Sequence, residues 1–281
     1  MNTVKTVLLL GILSGILLFG GEAIAGRNGL YVGLVLAVAM NFFSYFLSDK
    51  IALATYSAQP VGPEQNPGVY ARVAPIVGRL AQRMGIPMPR LWLIPDPSPN
   101  AFATGRNPEH ASVAFTTGIL NTMSDGEIEG VVAHELGHVL HRDILISSIA
   151  ATLATAITFL SRMMFFFGGA ERDDDREGGA LGGLAMMILA PIAALLIQMA
   201  ISRTREFDAD AASAKYTGNP RELISALQKL EAYSRRIPMN ATPSTAHMFI
   251  IKPFGGMSLM RLFSTHPSTE ERIARLEAMA R

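Results

Sequence analysis

His134-Glu135-Leu136-Gly137-His138 sets two imidazoles four residues apart with a carboxylate beside the first. On an α-helix, positions four apart lie about 40° from each other on one face, so both rings can meet one ion. Glu135 sits one step round, where it reaches a water at the metal rather than the metal itself. The chain contains no cysteine, which excludes a disulfide framework, a thiolate metal site and a cysteine nucleophile together. A metal here must be held by His and carboxylate.

A catalytic zinc site takes three protein ligands and leaves one position open. His141 lies on nearly the same helix face, but three rings from one straight helix cannot all converge on one ion, so it reads as a group beside the site or on the surface. The longer H-E-x-x-H-x-x-G-x-x-H form fails, since His141 stands where Gly would be and Ile144 where the last His would be. The third-ligand candidate is Glu206, within Arg203-Thr204-Arg205-Glu206-Phe207-Asp208-Ala209-Asp210. Asp210, four residues on, shares its face and can accept a hydrogen bond from the free nitrogen of a ligating His, fixing tautomer and orientation. Taken alone, this octapeptide reads rather as a solvated charged helix, and it is the placement beside the spans that argues for a ligand.

These residues need elements to position them. Ser124-Asp125-Gly126-Glu127 matches a capping box, so a helix is expected from there through His141. Residues 90–94, 101–106 and 112–116 read as short strands of a small sheet bounded by Pro and Gly. Further helices are expected over 68–84, 203–215, 221–235 and 267–280, the last opened by Pro267 at a first helical position. Residues 49–66, with Pro60, Gly62 and Pro63, read as a linker. Residues 238–263 resist assignment, as a lid or a satellite apolar cluster.

The 281 residues are 49% hydrophobic, with a mean hydropathy of +0.29. That is more apolar than an ordinary soluble chain, so a membrane protein is the first class to test. Basic and acidic residues number 24 and 23, and this balance advertises neither nucleic acid nor an acidic partner. Four apolar stretches, 6–21, 30–47, 144–167 and 180–201, are each near the roughly 20 residues a spanning helix needs. Arg162 near the end of the third can snorkel, and Pro191 in the fourth is tolerable in a span. The competing reading is two buried hairpins of a soluble core. The first stretch also imitates a signal peptide ending at Ala23-Ile24-Ala25. Lys5, Lys50, Arg142, Arg203 and Arg205 flank the spans on one side, which the positive-inside rule makes cytoplasmic, together with both termini. The Asn240-Ala241-Thr242 sequon then faces the wrong side for glycosylation. His138 precedes the third span by about six residues and Glu206 follows the fourth by about five. Both therefore sit roughly 10 Å from one membrane surface, where adjacent antiparallel spans would bring them together.

The ordered set resembles the HtpX family of bacterial membrane metalloproteases, related to the CAAX prenyl endopeptidases. It comprises paired N-terminal spans, Asn100-Ala101-Phe102-Ala103-Thr104-Gly105, the H-E-x-x-H run, two more spans, Arg203 to Asp210, and Thr265-His266-Pro267-Ser268 before Glu271-Arg272-Ile273. The resemblance implies an ATP-independent zinc endopeptidase of the bacterial inner membrane that removes damaged membrane proteins under stress. The expected fold is a mainly α membrane protein of four transmembrane helices with a cytoplasmic zincin-like α+β domain and a small sheet. Its parts are a membrane hairpin (1–48), a first protease segment (49–143), a second membrane hairpin (144–201) and a second protease segment (202–281).

The expected site has one Zn2+ per subunit on His134, His138 and Glu206, with Glu135 as general base. Asp210, Arg203 and His266 support the site or the transition state, His266 alternatively capping the last helix. Asn100, Ala101, Phe102 and Ala103 offer a strand edge to an extended peptide, or form an ordinary sheet edge. Expected partners are polypeptide substrates and the bilayer, with neither nucleic acid nor nucleotide. The rivals are a prenyl-protein processing protease, a non-catalytic zinc-binding scaffold, which would not need Glu135, and a transporter, which would place polar residues inside the spans.

Overall fold

The computed structural model describes residues 2–146, 149, 203–234 and 267–280. The remaining expectations, namely the third span beyond its first residues, the fourth span, residues 238–263, the sequon and His266, lie outside the described residues.

The chain opens with α1 (Asn2–Phe46), which folds back on itself where Ala25 and Gly26 leave helical geometry, Gly26 at φ +57°. The second arm, Ala25–Phe46, is the one helix among the described residues long and apolar enough to cross a membrane; the first, Thr6–Glu22, is a shorter apolar helix. The arms approach closely because the crossing is glycine. A Cβ on Gly21 or Gly33 would come within 2.2 or 2.3 Å of a carbonyl oxygen on the opposite arm. Small residues at such a crossing let the two backbones meet. Asn41 Nδ2 donates to Ser14 Oγ across the pair at 2.9 Å. The outward surface carries Val7, Phe19, Val35, Val38, Phe42 and Phe43, all exposed, a lipid-like face.

The expected linker 49–66 is instead ordered. It contains α2 (Ser48–Thr55) and strand β1 (Gln59–Val61). Pro60 is tolerated there because β1 is an edge strand. The sheet has the order β1, β2 (Arg90–Ile94), β4 (Ser112–Thr116), β3 (Ala101–Thr104). β2 and β4 run parallel, while β1 and β3 are antiparallel to their neighbours. β3 ends two residues earlier than its sequence suggests. Gly105 turns at φ +137°, where any Cβ would lie 2.4 Å from the His110 carbonyl oxygen.

One face of the sheet packs against α3 (Pro67–Met84) and α5 (Asp125–Leu140), and behind them α7 (Pro220–Ser234), with Val77, Leu80, Val113, Phe115, Ile128, Val132, Leu136 and Leu227 forming the main core. α4 (Thr117–Thr122) carries the chain from β4 toward α5. The other face holds a smaller cluster of Leu53 from α2 with Ile94, Phe102 and Ala114. The sheet is thus fastened to the N-terminal helical hairpin through α2, and Arg90 reinforces this by reaching Asp49 at 3.1 Å.

Two helices complete the described chain, α6 (Arg203–Thr217) and α8 (Thr269–Met279). Pro267 lies outside α8; Ser268 is its N-cap, accepting from the Glu271 N–H. Pro267 therefore does not occupy the first helical position, because a serine hydroxyl can satisfy an orphan N–H and Pro cannot.

Candidate metal centre

α5 starts where expected, with Ser124 Oγ accepting from the Glu127 N–H and the Glu127 carboxylate accepting from the Ser124 N–H. Glu127 also holds Ser225 Oγ at 2.6 Å and Lys229 Nζ at 2.8 Å, tying the start of α5 to α7. Two glycines then let neighbouring helices close on α5. A Cβ at Gly130 would lie 2.8 Å from Leu223 N, and one at Gly137 would lie 3.1 Å from Ala209 Cα. Ser213 Oγ donates to the Gly130 carbonyl at 2.8 Å, a contact only a close crossing permits. This approach brings α6, and Glu206 in its first turn, over the two histidines.

The Glu206 carboxylate faces both rings: Oε2 is 3.7 Å from His134 Nε2 and Oε1 is 3.6 Å from His138 Nε2. The rings stand at 89° with centroids 4.8 Å apart. One ligand atom from each of the three residues falls within 4.8 Å of the others, so together they could hold a metal ion. Tetrahedral ligands at about 2.1 Å from an ion stand about 3.4 Å from each other, so an ion would draw these three groups, spread over as much as 4.8 Å, closer together.

Each ring is steadied from behind. His134 Nδ1 is 2.9 Å from Asp210 Oδ1, so its proton sits on Nδ1 and the Nε2 lone pair is turned toward Glu206. Arg272 Nη2 also lies 3.3 Å from that Nδ1. A protonated Nδ1 cannot accept, so the shorter contact to Asp210 decides the tautomer. Arg272, buried on α8, grips Asp210 through Nε at 2.8 Å and Nη2 at 2.6 Å, and its Nη1 stands 4.0 Å from Glu206 Oε2. Behind the other ring, Asp143 Oδ2 is 3.5 Å from His138 Nδ1, and Asp143 Oδ1 is 3.9 Å from Arg205 Nη1.

Burial, aided by Arg272, pushes His134 below the ordinary imidazole value despite the pull of Asp210. Burial works the same way on His138, but Asp143, Glu206 and Glu135 outweigh it and lift the ring to about 9. A cation entering the site must therefore displace a proton from His138. Burial raises Glu135 to about 7. Burial also opposes the charge of Asp210, yet Arg272 holds that carboxyl below its usual range. Glu135 Oε2 accepts from the Ala103 N–H at 2.9 Å, which fastens the carboxylate to the edge strand β3.

The structure thus brings His134, Glu135, His138, Glu206, Asp210 and Ala103 into one place. Asn100 and Ala101 lie on the same edge, and Asn100 Oδ1 accepts from the Ala101 N–H. The Phe102 side chain turns to the opposite face, into the small cluster with Leu53. Arg203 is exposed, and the arginine facing the site from that helix is Arg205, two residues on. His141 is exposed at the end of α5. Sequence reasoning missed Arg272 and Asp143. The legible signal for Arg272 was a charge one turn before the fully buried Leu276, on the inward face of an otherwise amphipathic helix.

Comparison with known proteins extends these observations. Residues 68–280 match the family model described as Peptidase family M48. "Protease HtpX homolog" of Desulfatibacillum aliphaticivorans is 55% identical over 98% of this chain and 89% of its own length. The protein of the same description from Persephonella marina is 51% identical over 100% of this chain and 98% of its own. Among solved structures, Ste24p of S. mikatae matches with a TM-score of 0.55 at 20% identity, over 98% of this chain and 65% of that one. This last likeness concerns the fold alone. With the matches covering nearly the whole chain and a His/Glu triad able to hold the ion, this protein belongs to peptidase family M48 and is a membrane-bound zinc metalloprotease.

Proposed function

We propose that His134, His138 and Glu206 bind one zinc ion per chain and that Glu135 is the general base of an endopeptidase. The observation that carries this reading is the single Glu206 carboxylate facing both Nε2 atoms at 3.6 and 3.7 Å. When bound, the ion supplies Lewis acidity toward a water and the scissile carbonyl. Glu135 takes the proton of the attacking water and returns it to the departing amine. Its raised proton affinity suits that exchange near neutral pH, and a nearby cation lowers it toward the ionised form. Asp210 and Asp143 orient the two rings, and Arg272 holds Asp210 in its ionised state. His266 stabilises the oxyanion, since Ser268 already caps α8, and Arg203 serves the surface rather than the site.

The substrate peptide lies along β3. In an antiparallel pair, outward and inward backbone groups alternate. The Thr116 N–H donates to the Asn100 carbonyl, so Asn100 and Phe102 turn their backbone groups inward, and Ala101 and Ala103 turn theirs outward. The outward N–H groups are engaged by Asn100 and Glu135. The outward carbonyls are what the N–H groups of an extended peptide would meet. Ala101 and Ala103 are only 1% and 7% exposed, so pairing requires the groups that cover this edge to move aside. Backbone recognition gives broad sequence tolerance, which suits removal of damaged or misfolded membrane proteins.

We assign the chain to the bacterial inner membrane with both termini and the protease segments (49–143 and 202–281) cytoplasmic. Two of its four crossings are the arms of α1, and the sequence expects the other two over 144–201, outside the described residues. The lipid-like face of α1 and the basic residues Lys50 and Arg142 at the membrane ends support this arrangement. The test is zinc analysis beside proteolysis of an unfolded protein such as casein. Glu135→Gln should retain about one zinc and lose proteolysis; casein cleavage by that variant at the wild-type rate would remove Glu135 from the mechanism.

A further inference from the structure

Two contacts fix one end of the sheet against the end of the second membrane arm. Arg106, two residues past β3, lies over the ring of Phe46, the last residue of α1, at 5.5 Å. Arg90, the first residue of β2, reaches Asp49 at 3.1 Å. The register agrees with both contacts, because Thr104 stands opposite Ser112 and Ser112 opposite Arg90, so these residues share the sheet end that abuts the span. β3 therefore runs from the site toward the membrane. Its C-terminal end is the membrane end, and Ala103, bonded to Glu135, is three residues short of Arg106.

An incoming strand pairs most stably with β3 in the antiparallel sense, the sense in which β3 already pairs with β4. Such a strand runs away from the membrane, with its N-terminal flank at the Arg106 end and its C-terminal flank toward Asn100. We propose that the preferred substrates are membrane-anchored polypeptides whose cytoplasmic segment follows the anchor in sequence, cut a few residues beyond the point where they leave the bilayer. From Ala103 to Arg106 is about 10 Å of extended chain, and the headgroup layer adds about 6 Å, so the cut falls about five residues beyond the anchor. A segment that precedes its anchor would have to pair parallel or loop back to reach the same edge. This inference rests on the metalloprotease reading and on pairing along β3.

The experiment uses full-length zinc-loaded protein in nanodiscs with two reporters and one free peptide. All three share one test segment about 20 residues long, roughly 65 Å when extended. It follows a single membrane span in one reporter, precedes the same span in the other, and is unanchored in the peptide. The segment that follows the span should be cut at least about tenfold faster than the one that precedes it, the loss expected from one or two forfeited ladder hydrogen bonds. Mass spectrometry should place its cuts within about ten residues of the anchor, twice the reach derived from strand geometry. Equal rates, or faster cutting of the preceding segment, would overturn the proposal. So would cutting of the free peptide with neither reporter cut, which leaves the protease reading intact. Failure to cut all three would sink both.

Discussion

Asp210 Oδ1 lies 2.9 Å from Nδ1 of His134, on the side of the ring away from Glu206. The carboxylate thereby chooses which nitrogen carries the proton and which is left to bind. Asp210 is itself held by Arg272, so α8 reaches the metal centre through one buried ion pair. Arg275 adds a contact between the same helices, stacked 3.5 Å above the Phe207 ring.

Removing Asp210 should therefore cost more than a hydrogen bond. Asp210→Ala takes from the buried Arg272 the carboxylate that it grips through both Nε and Nη2. A buried charge stripped of its partner destabilises by about 3–5 kcal/mol. Asp210→Asn keeps a polar partner for the ring and should lose less stability, while zinc affinity falls by about 10–100-fold. Thermal unfolding in detergent and competition with a chromophoric chelator read the two effects separately.

The glycines of α5 and α3 make predictions of opposite sign. At Gly130 a methyl group would meet Leu223 backbone at 2.8 Å, and the α7 backbone cannot yield as a side-chain tip can. Gly130→Ala should destabilise by about 1–3 kcal/mol. Gly78, inside α3, has only Met88 Sδ at 3.9 Å from the same position. Gly78→Ala should stabilise by up to about 1 kcal/mol through helix propensity alone. Paired melting curves decide both.

Glu127 supplies a pH dependence away from the metal. Burial opposes its charge, but Lys229, Ser225 and the Ser124 N–H prevail and hold the carboxyl below its ordinary value of 4.5. A depressed carboxyl contributes stability that is complete above that ordinary value and is lost as pH falls through the folded one. Stability should therefore decline on acidification below about 4.5. Glu127→Gln, which keeps a capping partner, should make this decline shallower while lowering stability at neutral pH. An unchanged acid limb in Glu127→Gln would remove Glu127 from the account.

Glu135 and the edge strand make a kinetic prediction. Ala103→Pro removes the N–H that holds the Glu135 carboxylate, and since that N–H points outward the pairing of β3 with β4 survives. Zinc content should stay at the wild-type level while kcat falls by about tenfold or more, the typical reach of a positioned general base being 10²–10⁴-fold. A wild-type kcat would show that the bond does not position the base.

Local signals carried much of this site in the sequence. The capping box at Ser124 and the spacing of His134 and His138 are satisfied within one helix, so they are readable without tertiary context. Glu206 and Asp210 were legible as a pair because four-residue spacing puts them on one face. Arg272 left only a charge on the inward face of α8, because its role arises when that helix packs against the distant Asp210, and Asp143 lies beyond the end of α5, where helical spacing no longer says which way a side chain faces. The linker reading of 49–66 failed for a related reason. β1 is three residues long and carries Pro60, so it exists only because β2 offers it an edge. Pro267 misled because the hydroxyl of Ser268, one residue later, makes the better cap.

The central claim is that Glu206 completes the site begun by the two histidines, and the zinc affinity of full-length Glu206→Ala tests it most directly. With one of three ligands gone, affinity measured by chelator competition should fall by at least the roughly 100-fold that even a supporting residue can command, and proteolysis should fall with it. Wild-type zinc affinity and undiminished proteolysis in that variant would contradict the account.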